Sequence, residues 1–142
     1  MKKVKDILTK KGAKVISISS DAKIIEALQL MQDCNVGSVV VMDHGQYQGI
    51  LTERDYARKV ILLDKNSSDT AVSEIMSTDL PGVELGSSIE VCMILMSERN
   101  IRYLPVVENG EMIGIISSND LIKATIQDHL ETIEHLKNYI HA

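Results

Sequence analysis

The heptapeptide GILTERD, residues 49–55, has a second copy in altered form, GIISSND, at residues 114–120. Each copy consists of glycine, two apolar residues, a hydroxyl residue, two variable residues and aspartate. When the chain is aligned with itself at an offset of 65, residues 15–55 match 80–120 without a gap, and nine pairs are identical. An ungapped match of this length predicts an internal duplication.

Each copy predicts the same series of elements, β-α-β-β-α. A short strand precedes a helix with one apolar face, and a strand that is apolar on both faces leads through a glycine turn to a return strand and a second helix. In the first copy these elements are predicted at 15–18, around Ile24, Leu28 and Met31, and at 36–42, 47–51 and 52–63. In the second copy they are predicted near Val83, around Ile89, Met93 and Met96, at 101–107 and 112–116, and from 117 onward.

These patterns predict an α+β (α/β) fold in which two β-α-β-β-α repeats pack about a pseudo-two-fold axis, because a small three-stranded sheet needs a cover on its open face. The first domain is expected at 1–68. The second, with a long helical extension at its C-terminus, is expected at 69–142.

Three local signals refine this prediction. Asp21 is predicted to cap the first helix of the first copy. Ser87 and Glu90 are predicted to form a capping box at the corresponding helix of the second copy. Pro105 falls within a predicted strand, which places that strand at a sheet edge or at a bulge.

The composition restricts the class of protein. The chain has 142 residues, a formal net charge of −5, and four Tyr with neither Trp nor Phe. An acidic chain with few aromatics and no arginine-rich run is not expected to bind nucleic acid. The N-terminus lacks the apolar core of a secretory signal, and no stretch approaches the ~18 apolar residues of a membrane span. Cys34 and Cys92 fit no CxxC motif and are interpreted as reduced core residues of a cytoplasmic protein.

The duplicated β-α-β-β-α pattern, closed by GILTERD and GIISSND, resembles the CBS domain family, in which two CBS domains pair as a Bateman module. The resemblance extends from about residue 5 to 128 and includes the linker VSEIM, residues 72–76. It implies a tandem pair standing alone, with two clefts that bind adenosine-containing ligands such as AMP, ADP, ATP, NAD or S-adenosylmethionine. In the family, aspartate bonds the ribose diol, Ser or Thr lies near phosphate or ribose, and residues at the strand starts enclose the adenine.

The positions that the resemblance implies for ligand binding fall in two sets, one in each copy. In the first copy they are Ile16, Val36, Gly37, Ser38, Thr52 and Asp55. In the second copy they are Pro81, Ile101, Arg102, Tyr103, Ser117 and Asp120.

The chemistry of the paired hydroxyl and aspartate permits two interpretations. A carboxylate accepts hydrogen bonds from both hydroxyls of a ribose, at about 1.5–3 kcal/mol for each charge-assisted bond. A helix that opens at Thr52 or Ser117 also favours phosphate at its N-terminus. However, T-x-x-D and S-x-x-D are close variants of a capping box, and capping alone explains both residues. Duplication does not decide between the two, because both copies inherit the fold.

The two copies differ in the charges beside the aspartate. The first has Arg54 and Arg58 on one helix face, where the second has Asn119 and Lys123. Arginine binds phosphate oxygens bidentately. Arg54 and Asn119 are therefore added to the candidate ligand contacts, and we hypothesise that the first site takes the more highly phosphorylated ligand, such as NAD, and the second AMP. The alternatives are that Arg102 compensates the second site, or that the two arginines are solvated or paired with nearby aspartates.

Residues 118–141 predict one long helix with an apolar seam at spacings of three and four. The apolar seam consists of Ile122, Ile126, Leu130, Ile133, Leu136 and Ile140. Because it exceeds what a CBS pair needs, we hypothesise a homodimer through the CBS faces and this helix; the alternative is a helix folded back on its own domain. His129, His135 and His141 recur every six residues rather than at the i, i+4 spacing of a helical metal site, so no metal is expected.

The sequence contains no nucleophile–base pair, metal-ligand set or Walker loop. We therefore expect no enzyme and no catalytic cofactor, but a regulatory module that binds an adenine nucleotide and signals through conformation or assembly. Two alternatives remain. One is a dimerisation or interaction scaffold with vestigial clefts, and the other is a cryptic enzyme that acts on a bound nucleotide.

Overall fold

The computed structural model describes residues 2–12 and 14–141. The contacts within the chain divide it into two compact units. The central unit is Val15–Leu80, and the split unit joins Met1–Lys14 to Pro81–Ala142. Each unit has its own cluster of buried hydrophobic residues.

Helices and strands follow one another in the predicted order, with a short helix in front of each series and no named first strand in the second series of the described chain. In chain order they are α1 Val4–Lys11, β1 Ser17–Ile18, α2 Ile24–Cys34, β2 Ser38–Asp43, β3 Gln46–Thr52, α3 Glu53–Tyr56, α4 Val72–Ile75, α5 Ile89–Arg99, β4 Tyr103–Glu108, β5 Glu111–Ser117 and α6 Ser118–His141. A π-helical turn, Ala57–Ile61, continues α3.

Each unit contains a β-hairpin whose first strand is buried. Residues 39–41 of β2 and 104–106 of β4 are all buried, as their continuous apolar sequences predict. Both turns place two residues in the left-handed region, His44-Gly45 at φ 51° and 76° and Asn109-Gly110 at φ 51° and 79°. Two-residue hairpin turns require such angles, so the predicted turns are confirmed.

Both buried strands begin two residues later than predicted because the preceding helices end on asparagine. Asn35 and Asn100 each have φ 53°, the left-handed conformation that terminates a helix. The N–H of Val36 donates back to the Met31 carbonyl at 3.0 Å. Val36 is therefore part of the helix end, and its apolar character had extended the predicted strand.

The first strand forms fully in only one unit, and a proline explains the difference. In the central unit β1 lies parallel to β2, and the Val40 N–H donates to the Ile16 carbonyl at 2.9 Å. The position equivalent to Val40 is Pro105, which has no N–H to donate. The pairing in the split unit shrinks to a single bridge between Val83 and Val106. The strand predicted near Val83 is reduced to that bridge.

The prediction of an edge strand at Pro105 holds only for the sheet of named strands, which consists of β4 and β5. The other side of β4 carries the bridge to Val83, whose N–H donates to the Pro105 carbonyl at 2.9 Å. The register of β4 and β5 also shifts between Val106 and Val107. An equivalent shift occurs between Val41 and Met42, where no proline is present. The bulge therefore belongs to the fold and is not caused by the proline.

The short helices α1 and α4 pack with the repeat that does not follow them directly. The Val4 N–H donates to the Ser87 carbonyl at 2.9 Å, and the Val72 N–H donates to the Ala22 carbonyl at 2.8 Å. Val4 and Val72 are both fully buried, the first in the core of the split unit and the second in that of the central unit. The predicted division after residue 68 describes the sequence repeats and stays a prediction.

The predicted cap at Asp21 is wrong because a turn precedes the helix. The Ala22 N–H donates to the Ser19 carbonyl at 3.2 Å, which delays the start of α2. Asp21 accepts a hydrogen bond from the Ser19 hydroxyl instead. The N–H of Lys23 at the helix end donates to Glu26 Oε2 at 2.7 Å.

The predicted capping box of Ser87 and Glu90 is wrong by one residue. Helix α5 is capped by Ser88, whose hydroxyl accepts from the Val91 N–H at 3.2 Å. The Ser87 hydroxyl accepts from the Glu84 N–H at 3.0 Å and so closes the turn before the helix. Pattern alone does not rank two adjacent serines, because either can cap.

The two cysteines differ in burial, although both are free thiols. Cys92 is fully buried within α5, as predicted. Cys34 is exposed, so its predicted place in a core is wrong. It is the last residue of α2 and lies past Met31, the last buried position of that helix.

Helix α6 spans the predicted 24 residues and leaves the apolar seam exposed. Leu121, which is 2% exposed, anchors the helix in the core of the split unit. The seam residues Ile122, Ile126, Leu130, Ile133, Leu136 and Ile140 are 48% to 73% exposed. The alternative that the helix folds back to bury the seam on its own domain is therefore wrong.

Gly49→Ala should destabilise the protein more than Gly114→Ala. A Cβ at 49 meets the Ser77 carbonyl oxygen at 2.6 Å, whereas a Cβ at 114 meets the Leu8 side chain at 3.1 Å. A side chain can move aside and a paired backbone cannot. We expect roughly 1–3 kcal/mol for Gly49→Ala and less than about 1 kcal/mol for Gly114→Ala from urea unfolding. Equal losses would contradict this difference in packing.

Candidate functional site

The heptapeptide GILTERD joins β3 to α3 through a capping box. The Thr52 hydroxyl accepts from the Asp55 N–H at 3.0 Å, and the Thr52 N–H donates to Asp55 Oδ2 at 3.0 Å. The Thr52 hydroxyl also donates to the same carboxylate oxygen at 3.0 Å. The capping interpretation of T-x-x-D is confirmed, because both side chains satisfy backbone donors at the helix start.

The second carboxylate oxygen of Asp55 has partners from elsewhere in the central unit. The Ser77 hydroxyl donates to Oδ1 at 3.0 Å, and Lys59 Nζ lies 3.0 Å from the same oxygen. Lys59 Nζ also donates to the Ile75 carbonyl at 3.0 Å. Asp55 is only 8% exposed, and a buried carboxylate requires such pairing. Both of its oxygens are therefore engaged by the protein.

The heptapeptide GIISSND forms the corresponding box in the split unit. The Ser117 N–H donates to Asp120 Oδ2 at 2.9 Å, and the Asp120 N–H donates to the Ser117 hydroxyl at 3.1 Å. Lys11 Nζ, from α1, lies 2.7 Å from Asp120 Oδ2 and donates to the Ile115 carbonyl at 3.0 Å. Lys11 thus has the same two kinds of partner as Lys59, although it comes from a different part of the chain.

Asp120 differs from Asp55 at its second oxygen. Across residues 2–12 and 14–141, no donor contacts Asp120 Oδ1, and the side chain is 18% exposed against 10% for Asp55. Partial burial alone would raise the pKa of Asp120, but the bond from Lys11, the Ser117 N–H, the charge of Lys11 and the Ser117 hydroxyl outweigh it and lower the pKa. Asp120 is therefore an ionised carboxylate whose Oδ1 accepts no hydrogen bond from residues 2–12 and 14–141.

The hairpin of the central unit brings predicted ligand residues beside the first box. Ser38 pairs with Thr52 across β2 and β3, and the Gly37 carbonyl accepts from the first N–H of α3 at 3.1 Å. Ile16 and Val36 are partly buried against the core of the same unit. Their contact with an adenine ring stays a prediction.

The split unit repeats this arrangement around the second box. Tyr103 pairs with Ser117 across β4 and β5, and the Arg102 carbonyl accepts from the first N–H of α6 at 2.9 Å. Ile101 packs partly against the core, and Pro81 is half-buried two residues before the bridge at position 83. The role of these residues toward a ligand is likewise a prediction.

Arg54 and Asn119, which are added to the candidate contacts because the two copies differ in charge there, lie in the first turns of their helices. Arg54 is half-buried in α3, and Asn119 is exposed in α6. Lys59 forms an ion pair with Asp55. The alternative that the neighbouring arginines are solvated or paired with nearby aspartates stays a prediction.

Sequence reasoning missed three side chains that hold the aspartates. Lys59 follows Asp55 at the i, i+4 spacing of helical ion pairs, and that signal could have identified it. Ser77 and Lys11 are 22 and 109 residues from the carboxylates they contact. No local pattern connects residues so far apart, so only the folded chain reveals them.

Neither a metal site nor a membrane span is found in the part of the chain that the structure describes. No group of three or more His, Cys, Asp and Glu side chains there could hold a metal ion. None of its helices combines the length and hydrophobicity that crossing a membrane requires. His129, His135 and His141 are all exposed on α6.

Comparison with known proteins identifies relatives along nearly the whole chain. The family model of the CBS domain matches twice, at residues 4–62 and 72–126. The mitochondrial CBS domain-containing protein CBSX3 of Arabidopsis thaliana is 32% identical over 146 residues, which cover 96% of this chain and 71% of the relative. The solved structure of the CBS domain NE2398 is 42% identical with a TM-score of 0.83, over 88% of this chain and 98% of its own.

A fourth comparison involves a structure with bound ligands. The CBS domain pair of protein MJ0100 was solved in complex with 5′-methylthioadenosine and S-adenosyl-L-methionine. It is 28% identical to this chain with a TM-score of 0.76, over 87% of this chain and 99% of its own. Both of its ligands contain an adenosine moiety.

Lys11→Gln should raise the pKa of Asp120, because the variant loses a hydrogen bond and a positive charge that lower it. A carboxylate with a depressed pKa stabilises the fold above the pKa of the unfolded chain, and this contribution is lost as the pH falls through the folded pKa. The difference in the free energy of unfolding between wild type and variant that arises from this pKa is therefore largest near neutral pH. It disappears in acid, where Asp120 is protonated in both proteins.

A carbonyl-detected NMR titration of Asp120 measures this change directly, and urea unfolding across pH measures the linked stability. Lys5→Gln, an exposed position on the same helix, is the matched control. An unchanged pKa of Asp120 in Lys11→Gln would show that Lys11 does not control this carboxylate.

Proposed function

We propose, since this chain belongs to the CBS domain family with two CBS domains in tandem, that it is a regulatory module for adenosine-containing ligands. CBS pairs are regulatory modules, and the pair of MJ0100 binds two adenosine compounds. AMP, ATP and NAD are the candidate ligands for this chain, as its resemblance to the CBS domain family implies. A ligand signals by binding one conformation or assembly more tightly than another.

The main support for the proposal is that the two carboxylate oxygens of Asp120 differ in their partners. Its Oδ2 accepts the Ser117 N–H and the Lys11 ammonium, while its Oδ1 has no donor within the described chain. The two hydroxyls of a ribose are donors that such an oxygen can accept, in charge-assisted bonds. Capping and ribose binding are therefore compatible, because they use different oxygens of one carboxylate.

The central unit favours the alternative of a scaffold with a vestigial cleft. Thr52, Ser77 and Lys59 engage both oxygens of Asp55, so a ribose would have to displace one of them. Displacing a partner from a buried carboxylate is costly. We therefore assign ligand binding first to the Asp120 site. The hypothesis that Arg54 directs a more highly phosphorylated ligand to the first site stays a prediction.

We also propose that the protein is not an enzyme and works in the cytoplasm. The two boxes contain hydroxyl and carboxylate groups that cap helices, which is a structural rather than a nucleophilic arrangement. Two free cysteines suit a reducing compartment.

Asp120→Ala should weaken the binding of an adenosine ligand by roughly 2–4 kcal/mol, or about 30- to 1000-fold, because the ribose loses its charged acceptor. Isothermal titration with AMP, ATP and NAD measures this loss. Glu134→Ala removes the same charge from an exposed position of α6 and should leave the affinity unchanged. At 100 times Kd a ligand adds about 2.7 kcal/mol to the stability of the wild type, which thermal melting detects. Equal binding by Asp120→Ala, or no melting shift with any of the three, would contradict the proposal.

We propose further that the protein is a homodimer and that α6 contributes to its interface. The exposed apolar seam runs along most of a 24-residue helix. Contiguous exposed apolar surface of this kind marks interaction sites in soluble proteins. A second copy offers the same seam, so two helices can cover each other about a two-fold axis.

Truncation after Gln127 should shift the protein from dimer to monomer in light scattering, because it removes four of the six seam residues. Ile133→Lys should have the same effect by placing a charge within the seam. Glu134→Lys, the neighbouring exposed position off the seam, should leave the dimer intact. A truncated chain with an unchanged oligomeric state would exclude α6 from the interface.

A further inference from the structure

A cleft of about 260 Å³ lies between α1 and α6 of the split unit. Most of its charged lining residues are basic: Lys2, Lys10, Lys11 and Lys123. Its acidic lining residues are Asp6 and Asp120, and its apolar ones are Ile7 and Ala124. A locally basic cleft is unexpected on a chain whose formal net charge is −5.

The two aspartates do not neutralise the whole cleft. Asp6 Oδ2 accepts the Lys3 N–H at 2.8 Å and so serves the start of α1. Asp120 pairs with Lys11 at 2.7 Å. Asp120 therefore offsets the charge of Lys11, whereas Asp6 keeps its own negative charge in the cleft, because an uncharged N–H does not cancel it.

Two of the four lysines form no ion pair in the part of the chain that the structure describes. Lys2 pairs with Glu131 at 3.3 Å, and Lys11 pairs with Asp120. Lys10 and Lys123 form no ion pair within residues 2–12 and 14–141. Both residues line one cleft, and they come from two different helices. An anion between them would be attracted by both charges.

The two repeats differ at one position that lines the cleft. Ala124 occupies the position equivalent to Lys59 of the central unit. Lys59 extends to Asp55 and to the Ile75 carbonyl, whereas the methyl group of Ala124 reaches no such partner. Lys11 replaces the missing ammonium at Asp120 by approaching from α1. Ala124 lines the cleft, so no long side chain extends into it from this position of α6.

We propose that this cleft binds a di- or triphosphate group, with Lys10 and Lys123 as its principal contacts. Its volume is slightly below the ~300–1,000 Å³ of pockets that enclose a whole drug-sized ligand. It therefore suits a phosphate chain rather than a complete nucleotide. The bound phosphate groups belong either to a nucleotide or to free inorganic pyrophosphate. The nucleotide source rests on the proposed function, because Asp120 would hold the ribose at the edge of the cleft.

Titration of the intact protein with sodium pyrophosphate at low ionic strength tests the site. Lys10→Gln/Lys123→Gln should weaken pyrophosphate binding by about tenfold or more, since two charge-assisted contacts are lost. Lys5→Gln/Lys137→Gln removes the same charge from exposed positions of the same two helices outside the cleft and should bind as the wild type does. No binding by the wild type, or equal losses in the two double variants, would overturn the proposal.

Asp120→Asn should change the affinities for pyrophosphate and for adenosine in opposite directions. The variant removes a negative charge from the cleft and releases the Lys11 ammonium, so it should bind pyrophosphate more tightly than the wild type. The same variant should bind adenosine more weakly under the proposed function. Weaker pyrophosphate binding by Asp120→Asn would contradict an anion site at this place.

The two proposals can fail separately. Pyrophosphate binding that depends on Lys10 and Lys123, without any binding of adenosine, keeps the anion site and excludes the adenosine function. Adenosine binding without pyrophosphate binding, and with equal affinities for adenosine and ATP, excludes the anion site alone. Competition between ATP and pyrophosphate in the wild type identifies the nucleotide as the source of the phosphate chain.

Discussion

A reciprocal pair of hydrogen bonds between a hydroxyl residue and the aspartate three positions later fixes the site in each unit. The bonds of Thr52 with Asp55 and of Ser117 with Asp120 satisfy backbone donors where a strand turns into a helix. An N-cap is worth about 0.5–2 kcal/mol, so the fold itself retains these residues. The carboxylate is thereby held at a defined place, whether or not a ligand uses it.

Divergence around two equivalent capping boxes makes the two sites unequal. In the central unit Lys59 and Ser77 complete the coordination of Asp55. In the split unit Lys11, which lies outside the repeat, pairs with Asp120, and Asp120 Oδ1 has no hydrogen-bond donor among the described residues. The duplication thus conserves the cap while the surroundings decide which carboxylate can accept a second set of donors.

Much of the fold follows from patterns within a few residues of each other. The buried strands, the glycine turns and the 24-residue α6 depend on local periodicity and turn chemistry, and the sequence predicts them. Errors arise where two local signals compete, as at Ser87 beside Ser88. They also arise where a backbone donor is missing. Pro105 has no N–H, and the first strand of its unit is therefore reduced to a single bridge.

The site is less predictable because its decisive contacts are distant in sequence. T-x-x-D and S-x-x-D identify the aspartates, but they do not show how many of their oxygens are occupied. Lys11 reaches Asp120 across 109 residues because α1 packs into the unit that contains the second repeat. Such a contact depends on the topology of the whole chain.

The most direct test of ribose binding at Asp120 is a high-resolution crystal structure of the protein grown with ATP. We expect ribose hydroxyls on Asp120 Oδ1, with the Ser117 N–H still bonded to Oδ2. Carboxylates that keep only their protein partners at saturating ATP, with no adenosine beside either box, would contradict it. The aspartates would then serve as helix caps alone.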